Sequence, residues 1–309
     1  MPPRLTNLFD PMVRLLVVAL LLASFLPLRG SWLASGQYLV NAGVFVLFLL
    51  NGLRLPREQV VRGLTDLRYH GSLAAFVFVV MGAGGWLGWQ LTDGLLPPVL
   101  ALGFLYLGVL PSTVQSATSY TSLADGNVAH AVVGAAMLNV LGVFVTAPLF
   151  AALAGEAGFA LQTAVLVKVG LILLLPFTIG QLLQPQLGHL VTERPTLTKR
   201  LDRGIIALSV YVAMSGAVAD GVWQRVALLQ WTWLVAIVTV FLALAMALAW
   251  LASGALRMDR PDRTAFLFGA SQKSIAMGAP LATILFDPRT AGLILLPVLV
   301  MGIGLVIPP

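Results

Sequence analysis

Long apolar runs separated by short polar segments dominate the pattern of this chain. A window of about 20 apolar residues, the length that crosses the hydrocarbon core of a bilayer, predicts ten membrane-spanning helices in an all-α polytopic membrane protein. They cover residues 12–28, 36–55, 70–91, 95–118, 127–153, 160–183, 203–219, 229–256, 264–285 and 288–307. A second span directly follows the short first one, with no small-residue cleavage site between them. We therefore expect the first span to be retained rather than removed as a signal peptide.

Two polar interruptions break this apolar pattern, at PSTVQSATSYTSLADGN (residues 111–127) and FGASQKSIAMGAP (residues 268–280). Gln115 and Gln272 stand about half a chain length apart, as an internal duplication with one broken helix per half would place them. Non-helical backbone at membrane depth must be buried in protein or line a cavity. The sequence thus predicts a single membrane domain, 1–309, built from two inverted five-helix repeats, 12–155 and 156–307. The fourth and ninth spans are expected to be discontinuous and to meet near the midplane.

The interruptions are rich in hydroxyl and amide groups and contain one cation. Half-helix N-termini favour anions, and unwound carbonyls favour cations. In the alternative reading, the hydroxyls bond back to their own helices and merely tolerate a kink. Their number, repeated in both halves, favours a lined cavity. The candidate substrate-binding residues are Ser112, Thr113, Gln115, Ser116, Thr118, Ser119, Ser271, Gln272, Lys273 and Ser274.

Composition and charge fit a membrane protein and exclude several other classes. Hydrophobic residues make up 59% and charged residues 10% of the chain, whereas about a quarter of a soluble domain is charged. The chain has no cysteine, so it offers neither a thiolate nucleophile nor a zinc–thiolate site. Its net charge of +6 is scattered over loops, unlike the basic face of a nucleic-acid-binding protein.

The loop charges also predict an orientation. With a cytoplasmic N-terminus, the outer loops contain only three basic residues, Arg29, Arg225 and Arg289. The inner segments contain Arg4, Arg14, Arg54, Arg57, Arg62, Arg68, Arg194, Lys199, Arg200, Arg203, Arg257, Arg260 and Arg263. This positive-inside bias predicts that both termini face the cytoplasm.

The strings GFLYLGVLPSTVQSATSYTSLADGNVAHAV and FGASQKSIAMGAPLATILF, together with NGLRLPREQV, resemble the bacterial SBF-like branch of the bile acid:sodium symporter superfamily. The resemblance extends from about residue 10 to residue 300. It implies a ten-helix fold with a panel domain and a core domain, located in the bacterial inner membrane. In such a fold, the unwound fourth and ninth helices cross and substrate binds near the crossing. Transport then proceeds by alternating access.

The resemblance also locates the positions that hold the coupling ion in sodium-dependent members. In this chain they are Ala117, Thr118, Ala131, Ala135, Phe268 and Gln272. Only Gln272 keeps the residue type of the sodium site, although Thr118 retains an oxygen. All twelve acidic residues are expected at span ends or in loops, so no carboxylate is predicted at the midplane. We therefore predict no metal site and no required cofactor, sodium included.

Lys273 and His130 are the titratable candidates near the crossing. Lys273 is predicted mid-span, as the cationic partner of an anionic substrate or as a fixed charge in the place of the coupling ion. A third reading ties it permanently to helix-end carbonyls. His130, taken as the only histidine close to the crossing, is a candidate proton carrier, although packing is the commoner role for a lone histidine. Lys168 is near enough to a predicted span end to snorkel and is given no site role.

No enzyme motif stands out. The metal-binding pattern H-E-x-x-H is absent, and Ser215 has no histidine on a facing span, so no catalytic residue is predicted. The sequence favours a secondary active transporter of a small organic anion or amphipathic solute. Its expected partners are that solute and the lipid bilayer, and no nucleic acid; its oligomeric state is not predicted. Two alternatives stay open: a membrane regulator or scaffold that does not transport, and a cation-coupled antiporter of the same fold.

Overall fold

The computed structural model describes residues 11–54, 67–155 and 167–304, and every regular element in these ranges is helical. The helices are α1 (Pro11–Phe25), α2 (Ser31–Arg54), α3 (Leu67–Leu91), α4 (Pro98–Val109), α5 (Val114–Leu123), α6 (Val128–Ala154), α7 (Val167–Thr192), α8 (Pro195–Ala219), α9 (Leu228–Ala255), α10 (Arg260–Ser271), α11 (Ile275–Leu285) and α12 (Pro288–Ile303). A helical turn, Val222–Arg225, lies between α8 and α9. The all-helical prediction is confirmed for this part of the chain.

Six of these helices, α2, α3, α6, α7, α8 and α9, are long and apolar enough to cross a bilayer. α4 and α5 pass the same test together, as one span bent by 63°. α1 and α12 are apolar but shorter. The chain is therefore a polytopic helical membrane protein, whereas the count of ten spans stays a prediction.

Some of the sequence-based expectations fall on residues outside the described ranges. They include the start of the predicted sixth span, 160–166, the end of the tenth, 305–307, and the first residues of the second predicted repeat, 156–166. The predicted cytoplasmic residues Arg4, Arg57 and Arg62 also lie outside them.

Proline marks the start of several helices. Pro98, Pro195 and Pro288 occupy the first turns of α4, α8 and α12. Proline suits this position because its fixed φ matches the helix and the missing N–H would have no intrahelical partner there. α10 has Pro261 in its first turn as well and also a side-chain cap, since the Asp259 carboxylate accepts the backbone N–H of Asp262 at 3.0 Å.

Glycines allow the helices around the breaks to approach closely. A Cβ built on Gly85 of α3 would lie 2.7 Å from the Cα of Gly108, near the C-terminal end of α4. A Cβ on Gly216 of α8 would lie 1.9 Å from the carbonyl oxygen of Pro288, at the start of α12. Small residues permit such backbone-to-backbone packing in membrane proteins. α4 is thereby held against α3, and α8 against α12.

The remaining packing brings the two halves of the chain together. α1 packs on α8 and α2 packs on α7, while α8 also contacts α11 and α12. Arg54, at the end of α2, is 2.8 Å from Asp202 of α8 in an ion pair. The hydroxyl of Tyr106 in α4 donates to the carbonyl of Gly278 in α11 at 2.6 Å, deep in the core. α4 is thus joined directly to α11, which begins at the second polar interruption.

Candidate substrate-binding site

The first polar interruption is a true break between α4 and α5. The backbone leaves the helix at Leu110 and is still extended at Thr113, before α5 begins at Val114. Pro111 lies inside this stretch, and a proline that cannot donate to the helix favours such a break. The prediction of a discontinuous helix at this place is confirmed.

Polar side chains of α6 bond the carbonyls that this break leaves outside a helix. The amide of Asn139 donates to Ser112 O at 2.9 Å, and Thr146 Oγ1 donates to Val109 O at 3.2 Å. Buried carbonyls need such partners, since an unpaired one would cost roughly 1–3 kcal/mol. Sequence reasoning missed both residues. Their signal was present as two polar positions in the otherwise apolar run MLNVLGVFVTAP.

The second interruption breaks the chain between α10 and α11. Gln272 and Ser274 have extended backbone conformations, and α11 begins at Ile275. Ser274 caps α11, because its hydroxyl accepts the backbone N–H of Met277 at 3.2 Å. The backbone N–H of Ser274 donates to Pro111 O at 2.9 Å. The two unwound stretches therefore contact each other, and their expected place near the midplane stays a prediction.

Lys273 lies at the centre of this contact. Its side chain is 5% exposed, and its Nζ donates to the carbonyls of Gly108 at 2.8 Å and Leu110 at 2.7 Å. These carbonyls belong to the C-terminal end of α4, where the helix dipole places partial negative charge. The geometry corresponds to the third reading, a lysine bonded to helix-end carbonyls. Its roles toward a substrate or coupling ion stay predictions.

The other candidate residues divide into hydroxyls that are bonded to their own helix and groups that are not. Thr118 Oγ1 donates to Val114 O at 2.6 Å, and Ser271 Oγ donates to Leu267 O at 2.7 Å. Both follow the kink-tolerating pattern that the sequence left open. Ser112 Oγ, by contrast, is fully buried at the break without a hydrogen-bond partner among the described residues.

The exposure of the remaining candidates differs between the two breaks. The structure brings together Ser112, Lys273 and Ser274, which are all buried at the contact. At the start of α5 and along it, the polar residues reach the protein surface instead: Gln115 and Ser119 are exposed, and Thr113 and Ser116 are half-buried. Gln272 is also half-buried. A site that combines both groups would extend from the buried crossing along α5.

Four of the six positions that the resemblance assigned to a sodium site are filled by apolar side chains. Ala117, Ala131 and Ala135 are buried, and the ring of Phe268 packs at 5.5 Å from that of Tyr120. Within the described ranges, no group of three or more His, Asp or Glu residues is placed to hold a metal ion. The oxygen atoms that a sodium ion requires are scarce at these positions.

His130 has partners that the sequence did not reveal. Its Nδ1 is 2.7 Å from Asp262 Oδ1, at the start of α10. Its ring stacks on Tyr69 with centroids 4.5 Å apart, and the ring of His70 lies at 5.7 Å. The expectation of a lone histidine near the crossing was therefore wrong, because packing brings the start of α3 and the first turn of α10 to its side. A role as proton carrier stays a prediction.

Two broken helices that meet through unwound, polar backbone are typical of secondary transporters. Comparison with known proteins agrees, since the model of the SBF-like CPA transporter family matches residues 10–307. The chain belongs to this family, and so to the bile acid:sodium symporter superfamily that the sequence motifs indicated.

Three relatives illustrate the range of similarity. The uncharacterized protein PA2026 of Pseudomonas aeruginosa is 38% identical over 291 residues, which is 92% of this chain and 86% of that protein. YfeH of Escherichia coli, whose name describes it as a candidate symporter, is 35% identical over 96% of this chain and 90% of its own length. The mouse sodium/bile acid cotransporter 7 is 22% identical over 79% of this chain and 72% of its own.

Proposed function

We propose that this transporter moves a small organic anion or amphipathic solute by alternating access and does not require sodium. The observation that carries the proposal is the direct contact of the two breaks, through Ser274 N and Pro111 O, with Lys273 buried beside it. Unwound backbone of this kind within a membrane bundle is typical of transporter substrate sites. The particular substrate class rests on the chemistry of the side chains.

The ten-span, inverted-repeat architecture is part of this proposal. Counting α4 with α5 and α10 with α11 as one broken span each gives ten, with five spans on each side of the segment 156–166. The contacts of α1 with α8 and of α2 with α7 and α8 support a panel made of these four helices, and α2 and α8 of this panel meet the helices of the breaks at α11. Relative movement of these two groups would expose the crossing alternately to each side.

The contacts of Lys273 support transport that does not depend on sodium. Its ammonium occupies the space between two carbonyls at the C-terminal end of α4, where a coupling cation would find oxygen ligands. A covalently attached cation satisfies these carbonyls without a bound ion. The alanines at the expected sodium positions point the same way.

The same ammonium favours an anionic substrate. It is the one cationic side chain at the contact of the breaks in the described chain, and nearby candidate groups are neutral hydroxyls and amides. An anion would bind beside Lys273, with Ser112 Oγ as a hydroxyl ready to donate to it. The exposed amide of Gln115 and the half-buried amide of Gln272 add neutral donors. We propose that the ten candidate residues listed from the sequence line this site.

The test is uptake into proteoliposomes of a panel of conjugated steroids and small carboxylates, with and without a sodium gradient. We expect saturable uptake of at least one anion that sodium changes by less than about twofold. Lys273→Met should reduce it about tenfold or more, since an anion left at membrane depth without its cation is strongly destabilised. Lys168→Met is the matched control, because Lys168 is half-buried in α7, a helix that forms neither break.

The outcomes separate the alternatives. Uptake that requires sodium would contradict the sodium-independent mechanism. Equal uptake by Lys273→Met and Lys168→Met would contradict the role of Lys273 in binding the anion. Lys273→Arg keeps the charge and checks that a loss of uptake is not caused by misfolding. No uptake or thermal stabilisation by any member of the panel would favour a regulator or scaffold, and exchange of a metal cation for protons would favour the antiporter.

A further inference from the structure

A hydrogen bond joins the panel to α11 at the end of α11 that is far from the crossing. Gln37, in the second turn of α2, donates through Nε2 to Thr283 O at 2.8 Å. Thr283 lies in the last turn of α11, which ends at Leu285, so its carbonyl has no partner within the helix. The glutamine amide therefore supplies a helix-end carbonyl with a donor from another helix.

The orientation of this amide follows from its partners. A carbonyl can only accept, so the NH₂ group of Gln37 is the one that faces Thr283 O. The same Nε2 lies 3.1 Å from Asn41 Oδ1, one turn further along α2. Gln37 and Asn41 thus form a polar pair on one face of an otherwise apolar helix. Polar side chains inside a membrane protein commonly bond across helices, as Gln37 does here.

One face of α11 is covered at this end and open at the other. Thr283 and Ala276 lie about two turns apart and share that face. Thr283 is 1% exposed, whereas Ala276, next to the crossing, is exposed. α11 packs on α2 and α8 of the panel and on α12. The panel therefore lies against α11 at Thr283 and away from it at Ala276.

Close backbone contacts seal the same side of the molecule. α12 begins at Pro288, shortly after the end of α11. A Cβ on Gly216 of α8 would lie 1.9 Å from Pro288 O, and a Cβ on Gly292 of α12 would lie 2.6 Å from Ala213 O of α8. Helices that approach so closely leave no room for a solute between them. Access to the crossing between α8 and α12 is thus closed.

The opposite side of the crossing has a polar, exposed wall. α5 leads from the first break to this side, where the turn that follows it is bonded to the first turn of α10. Gln115, Ser119 and Ser122 recur at helical spacing and share one exposed face of α5. Polar groups at membrane depth are costly against lipid, so this face borders water. In the described ranges α5 packs mainly on α6 and α10, and the panel leaves its polar face uncovered.

We propose that the bond from Gln37 to Thr283 O is a gating hydrogen bond. It closes the crossing on the side of Thr283 while the crossing is open along α5, and it breaks when the transporter changes state. The inference rests on the proposed alternating access and adds the residue that holds one of its states. In the predicted orientation, the closed side is the outer one and the open side is the cytoplasmic one.

The absence of cysteine from the chain allows each side to be followed without a substrate. Ser119→Cys reports the open side. Thr283→Cys reports the closed side and keeps the backbone carbonyl that accepts the bond. Ser253→Cys reports general loosening, because Ser253 is fully buried in α9, which belongs neither to the panel nor to a break. Labelling by a charged methanethiosulfonate reagent is measured in detergent-purified protein, and each rate is divided by that of the same thiol in denatured protein.

We expect Ser119→Cys to be labelled about tenfold or more faster than Thr283→Cys, since only the second thiol needs an opening of the structure. Adding Gln37→Met should raise the Thr283→Cys rate about fivefold, which corresponds to the loss of one hydrogen bond of about 1 kcal/mol. Adding Gln37→Glu should raise it at least as much, because a carboxylate cannot donate and is repelled by the C-terminal end of α11. The Ser119→Cys and Ser253→Cys rates should change by less than about twofold.

Gln181→Met is the matched control for the loss of a glutamine that bonds across helices. Gln181 of α7 donates through Nε2 to Gly52 O of α2 at 2.6 Å, so both ends of this bond lie within the panel. Movement of the panel as a unit leaves such a bond intact. We therefore expect Gln181→Met to change all three labelling rates by less than about twofold.

A Thr283→Cys rate that stays unchanged in both Gln37 variants, or that rises equally in Gln181→Met, would overturn the gating hydrogen bond. An equal rise in the Ser253→Cys rate would also contradict it, because the whole molecule would then have loosened. Equal normalised rates for Ser119→Cys and Thr283→Cys would overturn the one-sided closure. This last comparison needs no change at Gln37, so the proposal stays falsifiable if the Gln37 variants do not fold.

The labelling assay is independent of transport. Its failure together with sodium-independent anion uptake would remove the gating hydrogen bond alone. The expected labelling rates with no uptake of any anion would instead contradict the proposed transport function.

Discussion

The hydroxyl groups at the crossing differ in their hydrogen-bond partners. Thr118 and Ser271 bond to their own helices, and Ser274 caps α11. Ser112 Oγ is buried and unpaired in the described part of the chain. A buried polar group without a partner is costly, and its presence at a break agrees with the substrate-binding role proposed for Ser112.

Two alanine substitutions test this division. Ser274→Ala should lower the free energy of unfolding by about 1 kcal/mol, because α11 loses its cap. Ser112→Ala should leave it unchanged or slightly raised, since no hydrogen bond is lost, while weakening anion uptake. Thermal unfolding of the detergent-purified protein, monitored beside uptake, measures both. An equal loss of stability in the two variants would contradict the assignment.

At the scale of helices, the breaks and the close glycine contacts work together. The break after Val109 is held open by Asn139 and Thr146 of α6 and by the N–H of Ser274. α4 cannot shift easily to close it, because Gly85 and Gly108 hold it directly against the backbone of α3. The proposed alternating access requires that the half-helices and their crossing stay rigid while the panel and the helices of the breaks move relative to each other.

The contact between α8 and α12 yields a matched pair of variants. Gly216→Ala would place a methyl group 1.9 Å from Pro288 O, a backbone atom that cannot turn aside. We expect a loss of roughly 1–3 kcal/mol or more, typical of overpacking. Gly204→Ala on the same helix meets nothing within 4 Å and should be neutral or stabilising by up to about 1 kcal/mol.

Thermal unfolding in detergent distinguishes these two glycine variants. A lowered midpoint in both would indicate a general effect of alanine in α8 rather than a clash with α12. An unchanged midpoint in Gly216→Ala would show that α12 can move away from α8 at little cost.

At the scale of the whole molecule, the orientation in the membrane remains to be measured. The distribution of arginine and lysine predicts that His189, at the end of α7, faces the cytoplasm and that Gln224, between α8 and α9, faces outward. Both side chains are exposed. Their positions differ by one predicted span, so they should lie on opposite sides.

Cysteine labelling in intact cells tests this orientation against the cysteine-free parent. A membrane-impermeant maleimide should label Gln224→Cys directly and His189→Cys only after the cells are permeabilised. The reverse order would invert the predicted topology, and labelling of both in intact cells would contradict a span between them.

The sequence by itself determined the class of protein, the helical segments and the places where two helices break. These depend on local properties: the length of apolar runs, and the conformational limits that proline and polar backbone impose within a membrane. The motifs of the breaks also sufficed to indicate the family. The two interruptions were found without any knowledge of contacts, because each is visible within about fifteen residues of sequence.

Only the tertiary structure decided which groups meet. Lys273 bonds to carbonyls 163 and 165 positions away, and His130 bonds to an aspartate 132 positions away. Asp262 reads from sequence as a loop-end acid, and Asn139 as one polar residue in an apolar helix. Hydrogen bonds depend on distances of a few tenths of an ångström and on direction, which the packing of remote helices sets. The hydrophobic periodicity of the chain does not specify these distances and directions, so the partners of its charged side chains were identified only in the tertiary structure.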